Sequence, residues 1–246
     1  MNNRRIFILA IIITLISIGI VIYAANKQSV DAKIIAYTAD PASHEIGFYW
    51  RDDSSRVIGS IANLKTLVES RNRELLFAVN GGMFDPQFAP QGLYVENGKT
   101  IKPLDTSQGH GNFYLMPNGV FYITNDNKAV VCKTADYEDK GQIKYATQSG
   151  PMLVIDGEIH PAFRQGSHNI HVRNGVGILP DGRVLFAMSG IRINFYELAL
   201  YFKSRGCRNA LYLDGFVSRT YLPQEGCTGT EGNLGVMIGI TRPASK

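Results

Sequence analysis

The chain has 246 residues, with 25 Lys and Arg against 21 Asp and Glu, 45% hydrophobic and 19% charged. That apolar share is enough to bury a core, which excludes an intrinsically disordered chain. The net charge of +4 includes Arg4 and Arg5 at the extreme N-terminus. No basic run suited to tracking phosphates occurs, so no nucleic-acid partner is expected.

Residues 6–25 (IFILAIIITLISIGIVIYAA) carry no charge and follow that basic pair. Roughly 20 apolar residues at about 1.5 Å rise span a hydrocarbon core of about 30 Å. Residues 1–27 are therefore expected to form a signal anchor, with membrane contact through residues 6–25. Ala24 and Ala25 also offer the small residues of a cleavable signal peptide. Basic residues ahead of the span place a single domain, residues 28–246, outside the cytoplasm.

Ile61, Leu64, Leu67 and Val68 recur at helical spacing and predict a helix over about 61–73, capped by Ser60. The strand LLFAV follows, ending in Asn80-Gly81-Gly82. Asn97-Gly98, Asn118-Gly119, Asp156-Gly157 and Asp181-Gly182 each sit between β-prone runs and predict two-residue hairpin turns. A second helix is expected over about 195–205. Asn194 and Glu197 form its capping-box pattern, and Gly206 stands at its stop. The strand ALYL then ends in Asp214-Gly215. The expected class is α+β: mostly antiparallel twisted sheets of hairpins with two or three helices.

A strand-helix-strand order from Val184 through Leu213 suggests a crossover unit. Polar residues at the C-terminal ends of such strands commonly line a crevice, which makes Asn80 and Asp214 candidate neighbours. Gly81 and Gly82 would let backbone N–H groups approach an anion. Ser149 in ATQSGPML offers a hydroxyl but lacks the glycine of a nucleophile elbow. His168 and His171 lack an evident third metal ligand, so a solvated or hydrogen-bonded pair is favoured over zinc. Arg173 carries a guanidinium fork suited to phosphate. No cofactor motif is present, and a divalent cation is left open. Of the three cysteines, Cys207 and Cys227 are the expected disulfide pair, with Cys132 a buried thiol.

Four stretches together resemble the phosphodiester glycosidase family: Asn80-Gly81-Gly82-Met83-Phe84, Ser149-Gly150-Pro151, Arg173 with Gly177, and Leu213-Asp214-Gly215 with Ser218. Phe216 and Val217 stand where the family has glycines, and Asn174 where it usually has threonine. The resemblance implies hydrolysis of the bond between a sugar anomeric carbon and a phosphodiester in cell-envelope glycans. It makes Asp214 the base or nucleophile and Arg173 the phosphate-binding catalytic residue. It makes Asn80, Gly81, Gly82, Ser149, Gly150 and Ser218 substrate contacts. The alternative is a non-catalytic envelope module that binds a polysaccharide or a protein on the same scaffold.

Overall fold

The computed structural model describes residues 7–8, 11–17, 31–214 and 218–244. Residues 7, 8 and 11–17 are helical. Among the described residues no helix is long and apolar enough to cross a membrane. Much of the expected anchor, and the Gly215, Phe216 and Val217 of the LDGFVS stretch, lie outside them.

The fold is α+β and its strand pairings are antiparallel. Its strands are β1 (Ile34–Ala39), β2 (Glu45–Tyr49), β3 (Arg73–Asn80), β4 (Tyr94–Glu96), β5 (Lys99–Lys102), β6 (Gly119–Thr124), β7 (Ala129–Lys133), β8 (Ile143–Ser149), β9 (Met152–Ile155), β10 (Glu158–Ile159), β11 (Asn174–Ile178), β12 (Val184–Ser189), β13 (Ala210–Tyr212), β14 (Thr220–Tyr221) and β15 (Met237–Pro243). They form a six-stranded sheet ordered β1-β12-β11-β13-β9-β10, a four-stranded sheet β14-β3-β15-β2 and a five-stranded sheet β5-β4-β8-β6-β7.

Inner faces of all three sheets meet in one core. Phe77 and Val79 of β3, Phe121 of β6, and Phe186 and Leu211 of the six-stranded sheet all pack there. The period-2 alternation of strands sends the neighbouring side chains outward. Leu185, Ala187, Ala210 and Tyr212 join a second cluster under helix α2 (Phe195–Ser204). Helix α1 (Ile61–Ser70) buries Ile61, Leu64 and Val68 on the outer face of the four-stranded sheet. Each fully buried aliphatic or aromatic side chain contributes about 1.5–3 kcal/mol of transfer free energy.

The caps follow the sequence. Ser60 Oγ accepts from Asn63 N at 3.2 Å. Asn194 Oδ1 accepts from Glu197 N, and Glu197 Oε2 accepts from Asn194 N, each at 3.0 Å. The β12–α2–β13 segment is the expected crossover. Both β12 and β13 pair antiparallel with β11, so they run parallel on either side of it.

Asn97-Gly98 and Asp156-Gly157 do turn hairpins, with positive φ at all four residues. Asp181-Gly182 lies in the β11–β12 connection. Asn118-Gly119 does not turn a hairpin. Residues Asn112–Tyr114 form a 3-10 turn instead of a strand, and Asn118 Nδ2 donates to Phe113 O at 3.1 Å. The hairpin there is β6–β7, turned around Asn127.

Cys207 and Cys227 are both free thiols. They pack against different cores: Cys207 under α2, and Cys227 against the central cluster. Burial raises the pKa of Cys207 to about 12 and that of Cys132 to about 11.

Candidate active site

The three-residue strand β13 is wedged between β11 and β9. Tyr212 ends it, and Leu213 and Asp214 continue the chain. All three are buried, Asp214 at 7% exposure. A buried carboxylate needs fixed partners. The residues singled out in the sequence gather here, mostly as supports of this short segment.

Asp214 is held through its backbone from two sides. Asn174 Oδ1 accepts from Asp214 N at 2.9 Å. Ser218 Oγ donates to Asp214 O at 2.5 Å, with Val172 O 3.3 Å away. Leu213 is fixed likewise: its N–H donates to Asn174 O at 3.2 Å, and its carbonyl accepts from Ser149 Oγ at 2.7 Å. The hydroxyls of Ser149 and Ser218 are thus committed to main-chain carbonyls.

Tyr212 is held by Arg173. The guanidinium is fully buried and donates through Nη1 to Tyr212 Oη at 3.1 Å, through Nε to Ile193 O at 3.0 Å, and through Nη2 to Asn169 O and Oδ1 at 2.8 and 3.0 Å. Its central carbon lies 3.6 Å from the Phe195 ring centroid, a cation–π contact. Burial lowers the pKa of Arg173, partly opposed by Tyr212. The Tyr212 phenol is pushed well above its ordinary range, first by burial, with Arg173 opposing and the Asp214 charge adding. A guanidinium with four of its five N–H groups donated inside the protein is a clamp. It fixes Tyr212 and ties down the 167–171 loop.

Asn80 joins the other sheet to this segment. Its Oδ1 accepts from Asn174 Nδ2 and from Arg219 N, each at 3.0 Å, and its carbonyl accepts from Asn174 Nδ2 at 2.9 Å. Two donors on one oxygen fix which way the amide points. That leaves Asn80 Nδ2, in a fully buried residue, without a partner. Buried amide donors are rarely left unpaired, and among the described residues Asn80 Nδ2 shares this state with Asn118 Oδ1 and Tyr137 Oη.

The two glycines after Asn80 serve packing. Gly81 N donates to Val236 O at 2.8 Å, so it is not open to an anion. A Cβ on Gly81 would lie 2.7 Å from Ile238 Cγ1, and one on Gly82 2.7 Å from Thr147 Oγ1. Gly150 is similarly enclosed, 2.7 Å from Phe113 O. Among the described residues no group of His, Cys, Asp and Glu suited to a metal ion occurs. His171 bridges its backbone to Ile193 on the Arg173 side of the molecule.

Asn174 was legible only as a departure from the family pattern. Its carboxamide nonetheless connects the Asn80 strand end to the Asp214 strand end. Arg219, directly after Ser218, also escaped the sequence reading. Its polar neighbours gave no spacing signal, because they come together only when β14 pairs with β3.

A short strand thus delivers Asp214 to a junction of buried polar side chains, where Asn174 links it to the end of β3. The sequence model of the phosphodiester glycosidase family matches residues 73–241, and the chain belongs to that family. The uncharacterised protein YigE of Escherichia coli K12 is 33% identical to it over 223 residues, 90% of this chain and 86% of YigE. Two solved structures share the fold. One is the zebrafish N-acetylglucosamine-1-phosphodiester alpha-N-acetylglucosaminidase catalytic domain, auto-inhibited by its pro-peptide. It aligns with a TM-score of 0.53 at 16% identity, covering 87% of this chain and 89% of that one. The other is a Burkholderia pseudomallei protein described as exported, with a TM-score of 0.55 at 10% identity, covering 84% of this chain and 73% of that one.

Proposed function

We propose that this chain hydrolyses the bond between a sugar anomeric carbon and a phosphodiester oxygen, acting on cell-envelope glycans from an extracytoplasmic domain held by residues 6–25. The observation that carries the reading is the orphaned Asn80 amide, linked through Asn174 to a buried aspartate whose backbone Asn174 and Ser218 hold. Family membership supports the reaction class, and the exported Burkholderia relative agrees with the location.

The chemistry asks little of the protein. An ordinary glycosidase pairs two carboxylates, one of which protonates a poor leaving group. Here the group that leaves is a phosphate monoester, whose second pKa is about 6. It departs without a proton. Asp214 takes a proton from water as the water oxygen bonds to the anomeric carbon, and the electrons of the breaking C–O bond stay on the phosphate oxygen. Asn80 Nδ2 donates to the sugar-phosphate and orients it. Arg173, Ser149, Ser218 and Asn174 hold the aspartate in place, which supplies the positioning on which such catalysis depends.

The test uses the full chain in mild detergent with a chromogenic sugar-1-phosphodiester. Asp214→Asn is expected to lower the rate at least about 100-fold, the usual contribution of a positioned acid or base, with an unchanged melting temperature. Full activity in that variant removes Asp214 from the chemistry. Sugar binding with no turnover by the parent protein supports instead the envelope binding module.

A further inference from the structure

The reaction proposed above needs a cation for the phosphate, and Arg173 is poorly placed to supply one. It is fully buried, with Tyr212, Ile193 and Asn169 occupying its donors. A second guanidinium lies at the same junction. Arg219 N docks on Asn80 Oδ1, the oxygen that also binds Asn174. Its side chain is exposed and folds back, with Nη1 donating to Ser218 O at 3.1 Å. Ser218 is the residue whose hydroxyl holds the Asp214 carbonyl. Among the described residues no carboxylate pairs with Arg219, whereas Arg56, Arg71, Arg73, Arg183, Arg205, Arg208 and Arg242 all form ion pairs. Gly232 flanks it without a side chain; a Cβ there would sit 3.6 Å from Arg219 Cγ and 3.9 Å from Nε.

We propose that Arg219 is the residue that receives the substrate's phosphate, with Asn80 Nδ2 as a neutral second donor beside it. This rests on the glycosidase reading and adds the anion receptor to it. The guanidinium has four N–H donors outside its one backbone bond, in the fork geometry that fits two phosphate oxygens. The phosphate then lies beside Ser218, whose hydroxyl holds the Asp214 carbonyl. Asp214 alone would repel an anionic substrate, and Arg219 offsets that repulsion.

The experiment is calorimetric titration of the full chain in mild detergent with glucose 1-phosphate, and with glucose as the uncharged probe. The parent is expected to bind glucose 1-phosphate more tightly than glucose, with an affinity that falls as salt rises. Arg219→Ala is expected to bind glucose 1-phosphate about 10–100-fold more weakly, the usual loss for hydrogen bonds to a charged group. Its affinity for glucose and its melting temperature should be unchanged. Arg219→Lys is expected to recover part of the loss, because it keeps the charge without the fork. If the alanine variant is less stable, Arg219→Gln, which keeps the stem, decides in its place. Parental affinity for glucose 1-phosphate in the charge-free variant overturns Arg219 as the receptor and leaves the glycosidase reading standing. A parent protein that neither binds the sugar phosphate nor turns over a diester overturns both.

Discussion

Replacing Asn174 by alanine removes the connection between two sheets at a single point. Three hydrogen bonds go: two from Asn174 Nδ2 to Asn80, and one from Asp214 N to Asn174 Oδ1. Asn80 Oδ1 keeps Arg219 N as a partner, but the buried Asp214 N–H loses its acceptor. An unsatisfied buried donor costs about 1–3 kcal/mol, and each of the two other hydrogen bonds about 0.5–1.5 kcal/mol, so the expected destabilisation is about 2–6 kcal/mol. For a domain of this size that corresponds to a melting point lower by roughly 4–24 °C. Urea unfolding followed by circular dichroism, with calorimetry alongside, reads the change directly. Asn174→Asp keeps an acceptor for Asp214 N, loses both donors, and sets a second buried carboxylate close to Asp214. Its stability should fall with the alanine variant's or below it. A loss under about 0.5 kcal/mol in Asn174→Ala, within ordinary surface-substitution effects, would refute the claim that this carboxamide joins the sheets.

Arg173→Met removes the clamp on Tyr212 and on the 167–171 loop. It should lower stability by about 2–4 kcal/mol through the stranded acceptors and raise amide exchange in that loop; an unchanged exchange pattern would contradict the clamp. The native protein should react with a thiol reagent at Cys227 first. Cys132, expected to be buried but half-buried here, should follow slowly and buried Cys207 only after unfolding, since thiolate is the reactive form and burial raises their pKa values to about 11 and about 12. Burial lowers the pKa of His160, whose Nδ1 accepts from Ala162 N at 3.1 Å and whose Nε2 therefore donates to Met116 O at 3.0 Å. Its folded-state pKa lies below the unfolded value, so the unfolded chain takes up the proton first. This contribution is complete above the unfolded pKa and lost as pH falls through the folded one. His160→Gln should flatten that part of the stability profile, and an identical profile in the variant would show that another group titrates.

Local pattern carried much of this architecture. Both helices, their caps and the Asn97-Gly98 and Asp156-Gly157 turns depend on residues a few positions apart, and such interactions can be read along the chain. The Asn118-Gly119 turn could not, because Asn118 bonds backward to Phe113 and the preceding run closes into a 3-10 turn. The free Cys207 and Cys227 escaped for a similar reason: their nearness in sequence says nothing about which face of the six-stranded sheet each occupies. At the centre, the conspicuous residues were found but their tasks differ. A hydroxyl or guanidinium looks the same in a sequence whether it faces a ligand or a main-chain carbonyl. Only the partners of Ser149, Ser218 and Arg173 show them holding β13 and the residues after it.

The described supports of Asp214 and Leu213 reach their backbone from three separate segments, through Ser149, Asn174 and Ser218. The station of that strand end therefore depends on segments far apart along the chain, so loosening β8 or β11 is felt at Asp214.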